Sequence, residues 1–558
     1  MYFFPFLLLL LFLFIFYDKF IQRKHQLLIN YPVIGRMRYL FEELREPFRQ
    51  YFADENFYES RDKVDWVYNA SNNKSNYTSF SPKQPASRPR FMLIHSNSPY
   101  NMDEIDKDIS ITFGEKRENP YISQSIIGRS AMSDGSISPE GTWAFTKGAF
   151  NGNFPINTGE GSLTSNFFIT HKSYNDSYME IKKVCKFDLM VYRLLSKISN
   201  TNSALDSLKD HTLKKEESET FLFDLERNHF YRPNWNAPLE NFPKKVPSDM
   251  PDITFQMSSG LFGVRDEEGK FDEMRYKKVM AFCKMTEIKL AQGAKQTGGK
   301  LTPNKVTHAI AYYRGIKAGE GVNSPNRFPY ASTINELFNF IAKLQELSKK
   351  PVGIKIVISN RQSIEPYAKE IKRRKENNIK GIPDFITIDG GDGGSATAPL
   401  ALMERIGLHI KDAILMTQEV LHHYKVREEV KLIASSKILT PDDAIIALAL
   451  GADFINIARG FMMSAGCIRA RMCSGAGSHK CPIGLATQDK SLRSAYLVYK
   501  NALAVTSYHN NLIAEIKMIL AVMGIKNVND LSKEHLYFID KNGRIYEDVH
   551  RYFQEKFK

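Results

Sequence analysis

Hydroxyl and cationic side chains follow two apolar runs late in the sequence. The run KLIASS ends in Ser436 and continues with Lys437, and the run FINIAR leads through Ala458 and Arg459 to Gly460. Where parallel strands end, small residues let backbone N–H groups approach a phosphate, and cations balance its charge. The spacing therefore predicts a phosphate site at these strand ends. Two ordinary surface loops that carry cations are the alternative, and they would show the same pattern.

A lysine interrupts the aliphatic run GIKIVI (353–358). A charged side chain within a buried strand faces either solvent or an anion, because an unpaired buried charge is costly. We interpret Lys355 as a functional cation, and a lysine that extends its ammonium to solvent at the strand end is the alternative. Gln292 and Lys295, in the segment AQGAKQTGG, provide further hydrogen-bond donors. These three residues are the candidate catalytic residues.

Small residues also recur where the chain could approach a flat ligand. The run from Gly390 to Gly394 permits backbone conformations that other residues avoid. The turn formed by Ala131, Met132 and Ser133 adds a hydroxyl at the end of another apolar run. A flavin needs a phosphate site, close approach of the backbone to its ring system, and a cation that stabilises charge on the reduced ring. The sequence offers a candidate for each requirement.

The elements that position these residues are predicted as an α/β fold, a (β/α)8 barrel, in which the loops after the strands converge on one face. A further strand, FMLIHS (91–96), is expected outside the barrel. The eight predicted barrel strands are SIIGRSAM (125–132), FPINTG (154–159), ITFQMS (253–258), EIKLAQ (287–292), GIKIVI (353–358), DFITID (384–389), KLIASS (431–436) and FINIAR (454–459).

The sequence divides into four predicted regions. They are a transmembrane helix (1–20), an N-terminal helical and linker region (21–120), the barrel (121–500) and a C-terminal helical extension (501–558). The transmembrane helix is predicted because YFFPFLLLLLFLFIFY is an uninterrupted run of apolar and aromatic residues. A cleaved signal peptide is the alternative, but the flanking charges and cleavage site of one are not present. The positive charges that follow it place the catalytic domain in the cytoplasm.

Composition narrows the class of partner. The formal net charge of +14 favours anionic partners such as membrane lipid or nucleic acid. Nucleic acid is disfavoured, because neither zinc-finger spacing nor an RNA-binding signature is present. Five cysteines do not make a disulfide framework and fit a reducing compartment.

Nine motifs between residues 125 and 490 occur in the order found in the FMN-binding synthase domain of glutamate synthase large subunits. The segment NYPVIGRMRY resembles a shorter, membrane-anchored branch, the FMN-binding glutamate synthase family proteins. The nine motifs are AMSDGSIS, NTGEG, FQMSSGLFGV, EIKLAQGAK, NSP, GIKIV, IDGGDGGSATAP, ALGADFINIARG and a cysteine segment that ends in CPIGLATQD.

The resemblance implies an FMN oxidoreductase that reduces 2-iminoglutarate, formed from 2-oxoglutarate and ammonia, to glutamate. Electrons would come from a ferredoxin or a separate reductase, since no dinucleotide-binding glycine motif follows a strand. Gln292, Lys295 and Lys355 would line the flavin and keto-acid site. The residues implied to bind FMN are Ala131, Met132, Ser133, Gln292, Lys355, Gly390, Gly391, Asp392, Gly393, Ser436, Lys437, Ala458, Arg459 and Gly460.

The sequence departs from the family pattern in three places. The family's cysteine spacing holds a 3Fe-4S cluster; here Cys467, Cys473 and Cys481 are the implied ligands, but seven residues separate the last two, and reduced structural cysteines are the alternative. The segment GAKQTGG replaces the family's GAKPGEGG or GAKPGHGG, which leaves the substrate open. The chain starts Met1-Tyr2 rather than with the nucleophilic cysteine of a glutaminase domain, so we expect no glutamine hydrolysis.

Two other functions stay open at this point. One is a membrane-tethered FMN dehydrogenase that oxidises an amino or hydroxy acid. The other is a catalytically silent flavin-binding scaffold.

Overall fold

The structure is a computed structural model of the chain. It divides into two compact units, Met1–Arg61 and Asp62–Lys558. The residues that it describes are 3–22, 26–41, 43–44, 60–77, 90–168, 179–198, 201–213, 221–224, 228–233, 242, 245–293, 300–396, 398–403, 405–474, 480–493, 495–540, 542–549 and 551.

The strands of the described residues are, in chain order, β1 (Arg90–Leu93), β2 (Ile111–Phe113), β3 (Tyr121–Ser123), β4 (Ile127–Arg129), β5 (Ile156–Asn157), β6 (Met179–Lys183), β7 (Leu222–Asp224), β8 (His229–Pro233), β9 (Ile253–Met257), β10 (Met285–Lys289), β11 (Lys300–Leu301), β12 (Val322–Asn323), β13 (Val352–Val357), β14 (Phe385–Asp389), β15 (Lys431–Ser435), β16 (Phe454–Ile457), β17 (Leu536–Ile539) and β18 (Ile545–Tyr546).

The α-helices are α1 (Phe3–Phe16), α2 (Gln26–Asn30), α3 (Arg61–Ser71), α4 (Pro139–Gly152), α5 (Lys186–Ile198), α6 (Thr201–Thr212), α7 (Glu273–Met280), α8 (His308–Arg314), α9 (Ile334–Ser348), α10 (Arg361–Glu376), α11 (Ile410–His423), α12 (Pro441–Ala449), α13 (Arg459–Ser464), α14 (Lys490–Arg493) and α15 (Val498–Met523).

Eight parallel strands close into a barrel in the order β10, β13, β14, β15, β16, β4, β5 and β9. These are the eight strands that the apolar runs predict, so the α/β barrel is confirmed. Every residue of β9 and of β14 is buried. Strands covered on both faces lose the alternation of apolar and polar residues, which is why the runs are nearly continuous in the sequence.

Helices outside the barrel hold the strands in place. The helix α4 begins after Ser138, whose hydroxyl accepts the N–H of Gly141, and Pro139 occupies its first turn. Gly148 of α4 leaves room for α15, since a Cβ atom there would lie 2.5 Å from the side chain of Val505. The predicted outer strand is β1, which pairs antiparallel with β17.

The described residues between 179 and 233 form a small insertion. Its sheet has the order β6, β8, β7, and side chains of α5 and α6 pack on it. The apolar cluster between them includes Tyr192, Leu205 and Phe230 and is separate from the barrel core. Tyr231 of β8 packs on Trp143 of α4, with 4.4 Å between ring centroids. This contact joins the insertion to a barrel helix.

The predicted transmembrane helix over residues 1–20 is not supported. The helix α1 has 14 residues. A π-helical turn follows, and in it the buried Asp18 pairs with Arg36. In the ranges given above, none of the helices is at once long and apolar enough to cross a membrane. The cytoplasmic location remains a prediction.

Candidate active site

A buried ion pair lies at the carboxyl ends of β13 and β14. Lys355 Nζ is 3.4 Å from Asp389 Oδ1, and the two side chains are only 8% and 10% exposed. The backbone N–H of Gly293 donates to the other oxygen, Asp389 Oδ2, at 2.8 Å. The lysine that interrupts GIKIVI thus faces an anion of the protein itself. The sequence reasoning missed Asp389, although it is the acid that ends the apolar run FITID.

A second lysine lies beside the first. Lys289 of β10 pairs in register with Lys355 of β13. Its ammonium contacts the carboxylate of Glu160 and the side-chain oxygen of Gln292. The candidate donor Gln292 therefore acts as an acceptor here, and each lysine has its own carboxylate. Lys289 was also missed, although it is a cation at the end of the run MTEIK, much as Lys355 is a cation within its own run. Lys295 lies outside the described residues.

A buried carboxylate near these lysines is fully hydrogen-bonded. Glu287 accepts the side-chain amides of Asn157 at 2.9 Å and Gln256 at 2.6 Å, and the hydroxyl of Thr387 at 2.5 Å. Four different barrel strands contribute these residues. Glu287 therefore joins these strands through hydrogen bonds in the barrel interior.

The glycine loop after β14 serves two purposes. Gly390 and Gly391 are buried in the protein, and a Cβ atom on Gly391 would lie 2.4 Å from the carbonyl oxygen of Gly407. Gly391 is thus required by close packing of two backbones. Gly393 is half-buried and Gly394 is exposed. Only this second part of the predicted flavin-binding loop faces an open surface.

Asp392 organises the neighbouring strand end. It accepts a hydrogen bond from Ser436 Oγ at 3.2 Å, and His409 Nδ1 lies 3.5 Å from its other oxygen. Burial raises the pKa of Asp392, but the hydrogen bond and charge of His409 and the charge of Lys437 outweigh it and lower that pKa overall. The hydrogen bond that His409 donates to Asp392 in turn raises the pKa of His409. No motif in the sequence pointed to His409.

The predicted phosphate residues come together. Ser436 and Lys437 are consecutive non-glycine residues with φ of 122° and 47°, a strained arrangement that costs about 1–3 kcal/mol per residue and is concentrated at functional sites. Ideal Cβ positions on Gly393 and Gly394 lie 3.3 Å from Ser436 Oγ and 2.9 Å from an Arg459 terminal nitrogen. The glycine loop, the serine turn and the arginine therefore border one space.

The other two residues of the FINIAR end have different roles. Ala458 is exposed at the start of α13. Gly460 is buried, and a Cβ atom there would lie 2.1 Å from Tyr508 Oη. The structure thus places Ala458 at the surface next to Arg459, while Gly460 serves the packing of α13 on α15.

A buried arginine lies under the turn after β4. Arg129 donates to the carbonyls of Ser130 at 3.0 Å and Met132 at 3.3 Å. Its Nε has no hydrogen-bond partner within the described part of the chain. Burial lowers the pKa of Arg129 to about 9. The arginine was missed, although it interrupts SIIGRSAM as Lys355 interrupts its own run, and it holds Ala131 and Met132 in a half-buried position.

One close glycine contact and one buried acid position this turn. Gly159, with φ of 63°, approaches Ser133 so closely that a Cβ atom would lie 2.7 Å from the serine nitrogen. Asp134 accepts hydrogen bonds from Thr164 and Asn166, both at 2.6 Å. The motifs NTGEG and AMSDGS are therefore two sides of one loop contact.

The three candidate cluster cysteines lie among the described residues and are partly or fully buried. Burial raises the pKa of Cys467 to about 12 and also raises the pKa of Cys473. A buried lysine, Lys305, donates to the carbonyl of Cys473 at 2.7 Å. Among the described residues, which include Cys481, no three Cys, His, Asp or Glu side chains are grouped to hold a metal. The predicted 3Fe-4S cluster is not shown.

The chain is similar in sequence to known proteins. Residues 63–526 match the family model described as a conserved region in glutamate synthase. The glutamate synthase large subunit-like protein YerD of Bacillus subtilis is 29% identical over 94% of this chain and 92% of its own length. A ferredoxin-dependent glutamate synthase of Pyropia yezoensis is 29% identical over 50% of this chain and 17% of its own. An archaeal-type glutamate synthase (NADPH) of a Thermotoga species is 29% identical over 53% of this chain and 55% of its own length.

Proposed function

This chain belongs to the glutamate synthase family, and on that premise we propose that it uses FMN to reduce 2-iminoglutarate, formed from 2-oxoglutarate and ammonia, to glutamate. The family supports an oxidoreductase. The observation that carries the finer proposal is the convergence of Lys355, the loop at Gly393 and the turn at Ser436 on the carboxyl ends of β13, β14 and β15. Ligands of parallel barrels bind at this face.

The residues present fit FMN. Ser436, Lys437 and Arg459 would hold its phosphate, since they offer a hydroxyl and two cations around glycines without side chains. Arg129 would complement a polar edge of the ring through the turn at Met132, because its guanidinium is buried and its Nε has no partner among the described residues. When bound, FMN supplies a hydride equivalent.

The two register-paired lysines suit a substrate with two carboxylates. In the proposed complex Lys289 and Lys355 bind one carboxylate each, and Glu160 and Asp389 keep the ammonium groups in place when no substrate is present. Reduction adds a hydride to the imine carbon and a proton to the nitrogen, and the second bond of C=N is lost. Fixed cations that hold the imine carbon in one orientation favour this step through positioning.

A partner protein would supply the electrons. The names of two relatives specify ferredoxin and NADPH as donors of those enzymes. We assign no step to an iron–sulfur cluster, because the cysteines do not assemble a metal site in the described residues.

The full chain, reconstituted with FMN, tests the proposal. Flavin fluorescence measures binding, and glutamate formation from 2-oxoglutarate and ammonium is then assayed anaerobically with reduced methyl viologen. We expect Lys355→Met to retain FMN and to lower kcat/KM for 2-oxoglutarate about 100-fold, because a charged hydrogen bond to a substrate carboxylate is lost. The matched control is Lys372→Met, on the outer helix α10 and 47% exposed, which should leave the rate unchanged.

Three results would contradict the proposal. Failure to bind FMN would remove the cofactor. Flavin reduction by a panel of amino or hydroxy acids, without glutamate formation, would indicate a dehydrogenase. Bound flavin that exchanges electrons with no acid or donor would indicate a scaffold.

A further inference from the structure

The helix α5 of the insertion carries an apolar stripe on its surface. Phe187, Met190, Leu194 and Ile198 are 66%, 61%, 58% and 76% exposed. Their spacing of three, four and four residues places them on one side of the helix over successive turns. Scattered exposed apolar residues are ordinary, but a contiguous row along one helix indicates an interaction surface.

The stripe does not stabilise the insertion itself. The opposite side of α5 performs that role, where Tyr192 is 7% exposed and Leu189 and Leu195 pack on the apolar cluster of the insertion. The helix therefore has two apolar sides, and the fold uses one of them. The exposed side is available for contact with something outside this domain.

Positive charges border the stripe. At ~100° per residue, Lys186, Arg193 and Lys197 project along one edge of it, and all three are exposed. Arg193 also donates to the side chain of Asn228 at 3.2 Å, a contact at the surface. The acid of the helix, Asp188, projects to the other side. An apolar row with cations along its edge is the pattern of a helix that lies in a membrane interface.

We propose that α5 binds an anionic lipid surface, with the apolar stripe at the boundary of headgroups and acyl chains and the cations against the headgroups. A second copy of this chain is the less favourable occupant. In an antiparallel symmetric contact of this side with itself, the lysines and arginine would oppose their own copies, and such like-charge contacts are costly. The net charge of +14 adds attraction to the same kind of surface. This proposal is independent of the catalytic one.

Hydrogen exchange of the full chain, measured by mass spectrometry, tests the proposal at α5 alone. The protein is compared without lipid, with vesicles of phosphatidylcholine, and with vesicles that also contain phosphatidylglycerol. We expect peptides from 186–198 to exchange about fivefold more slowly with the anionic vesicles only, because docking suppresses local opening. Phe187→Ser/Leu194→Ser should abolish this protection, and Lys186→Gln/Lys197→Gln should weaken it.

An exposed apolar residue on another helix provides the matched control. Leu503→Ser, on α15 and 45% exposed in the native protein, should keep the protection of α5. The inference is overturned if α5 exchanges equally fast with and without anionic vesicles. It is also overturned if α5 is protected without lipid in proportion to protein concentration, together with a doubled mass, since a second copy would then be the occupant.

Discussion

Asp389 is expected to stabilise the protein chiefly by compensating the buried charge of Lys355. The two charged atoms are 3.4 Å apart, and at an effective dielectric constant of ~20 their attraction is about 5 kcal/mol. Removing one member of a buried pair costs ~3–5 kcal/mol, because the other charge stays buried without compensation. We therefore expect Asp389→Asn and Lys355→Met each to lower the free energy of unfolding by about 3 kcal/mol.

A double-mutant cycle isolates this interaction. The free energy of unfolding of the apoprotein is measured in urea at neutral pH for the native chain, both single variants and the double variant. Asn at 389 keeps an oxygen for the N–H of Gly293, which Asp389 accepts at 2.8 Å, so the cycle reports mainly charge. The double variant should lose only about 1–2 kcal/mol more than either single variant, a coupling energy of ~1–2 kcal/mol.

Additive losses in the free energy of unfolding would contradict this expectation. If the losses of the two single variants simply add in the double variant, the pair has no coupling and Asp389 stabilises the site in some other way. Repetition of the cycle in 1 M salt is a further control, because a buried pair is screened far less than a surface pair.

Three further predictions concern pH and backbone. Burial lowers the pKa of His509 to about 4. The stability that depends on its neutral form is therefore complete above pH ~6.5, and about 3.4 kcal/mol (2.5 × 1.36) is lost as the pH falls from ~6.5 to ~4. His509→Gln should flatten this pH dependence of the free energy of unfolding, measured in urea. For Asp443, burial raises the pKa, but two neighbouring lysines outweigh it and hold the pKa at about 2. The lowered pKa contributes about 2.4 kcal/mol (1.8 × 1.36) to the free energy of unfolding above pH ~3.8, and this contribution is lost as the pH falls toward ~2. Asp443→Asn should lose it at pH 7, whereas the control variant Asp442→Asn, at an exposed position, should not. Gly159→Ala should weaken FMN binding about tenfold, because the added Cβ atom would clash with the turn at Ser133 at a cost of roughly 1–3 kcal/mol. Gly319 also has positive φ but nothing within 4 Å of its Cβ position, so Gly319→Ala should bind FMN normally in a fluorescence titration.

Much of the barrel could be predicted because its strands are local features. A run such as FITID is apolar along its whole length, since both faces of a barrel strand are covered, and all eight runs of this kind became strands. The transmembrane helix predicted for the N-terminal apolar run is not supported within the described residues. Composition describes how apolar a segment is, whereas the length of an α-helix depends on where its backbone changes conformation, here at the π-helical turn that begins at Tyr17.

The site was only partly predictable. Ser436, Lys437 and Arg459 could be grouped in advance, because the carboxyl ends of neighbouring parallel strands meet at one face. Arg129 and Lys289 carried the same signal as Lys355, a cation that interrupts or ends an aliphatic run, and the same reasoning would have found them.

By itself, the sequence determined the strands, their α/β alternation and the motifs that identify the family, because each depends on residues that are neighbours along the chain. Only the tertiary structure decided which side chains form pairs. Asp389 compensates the charge of Lys355, Glu160 compensates that of Lys289, and His409 contacts Asp392. These pairs join different strands and loops, so strand register and burial select them, and no spacing along the chain encodes either.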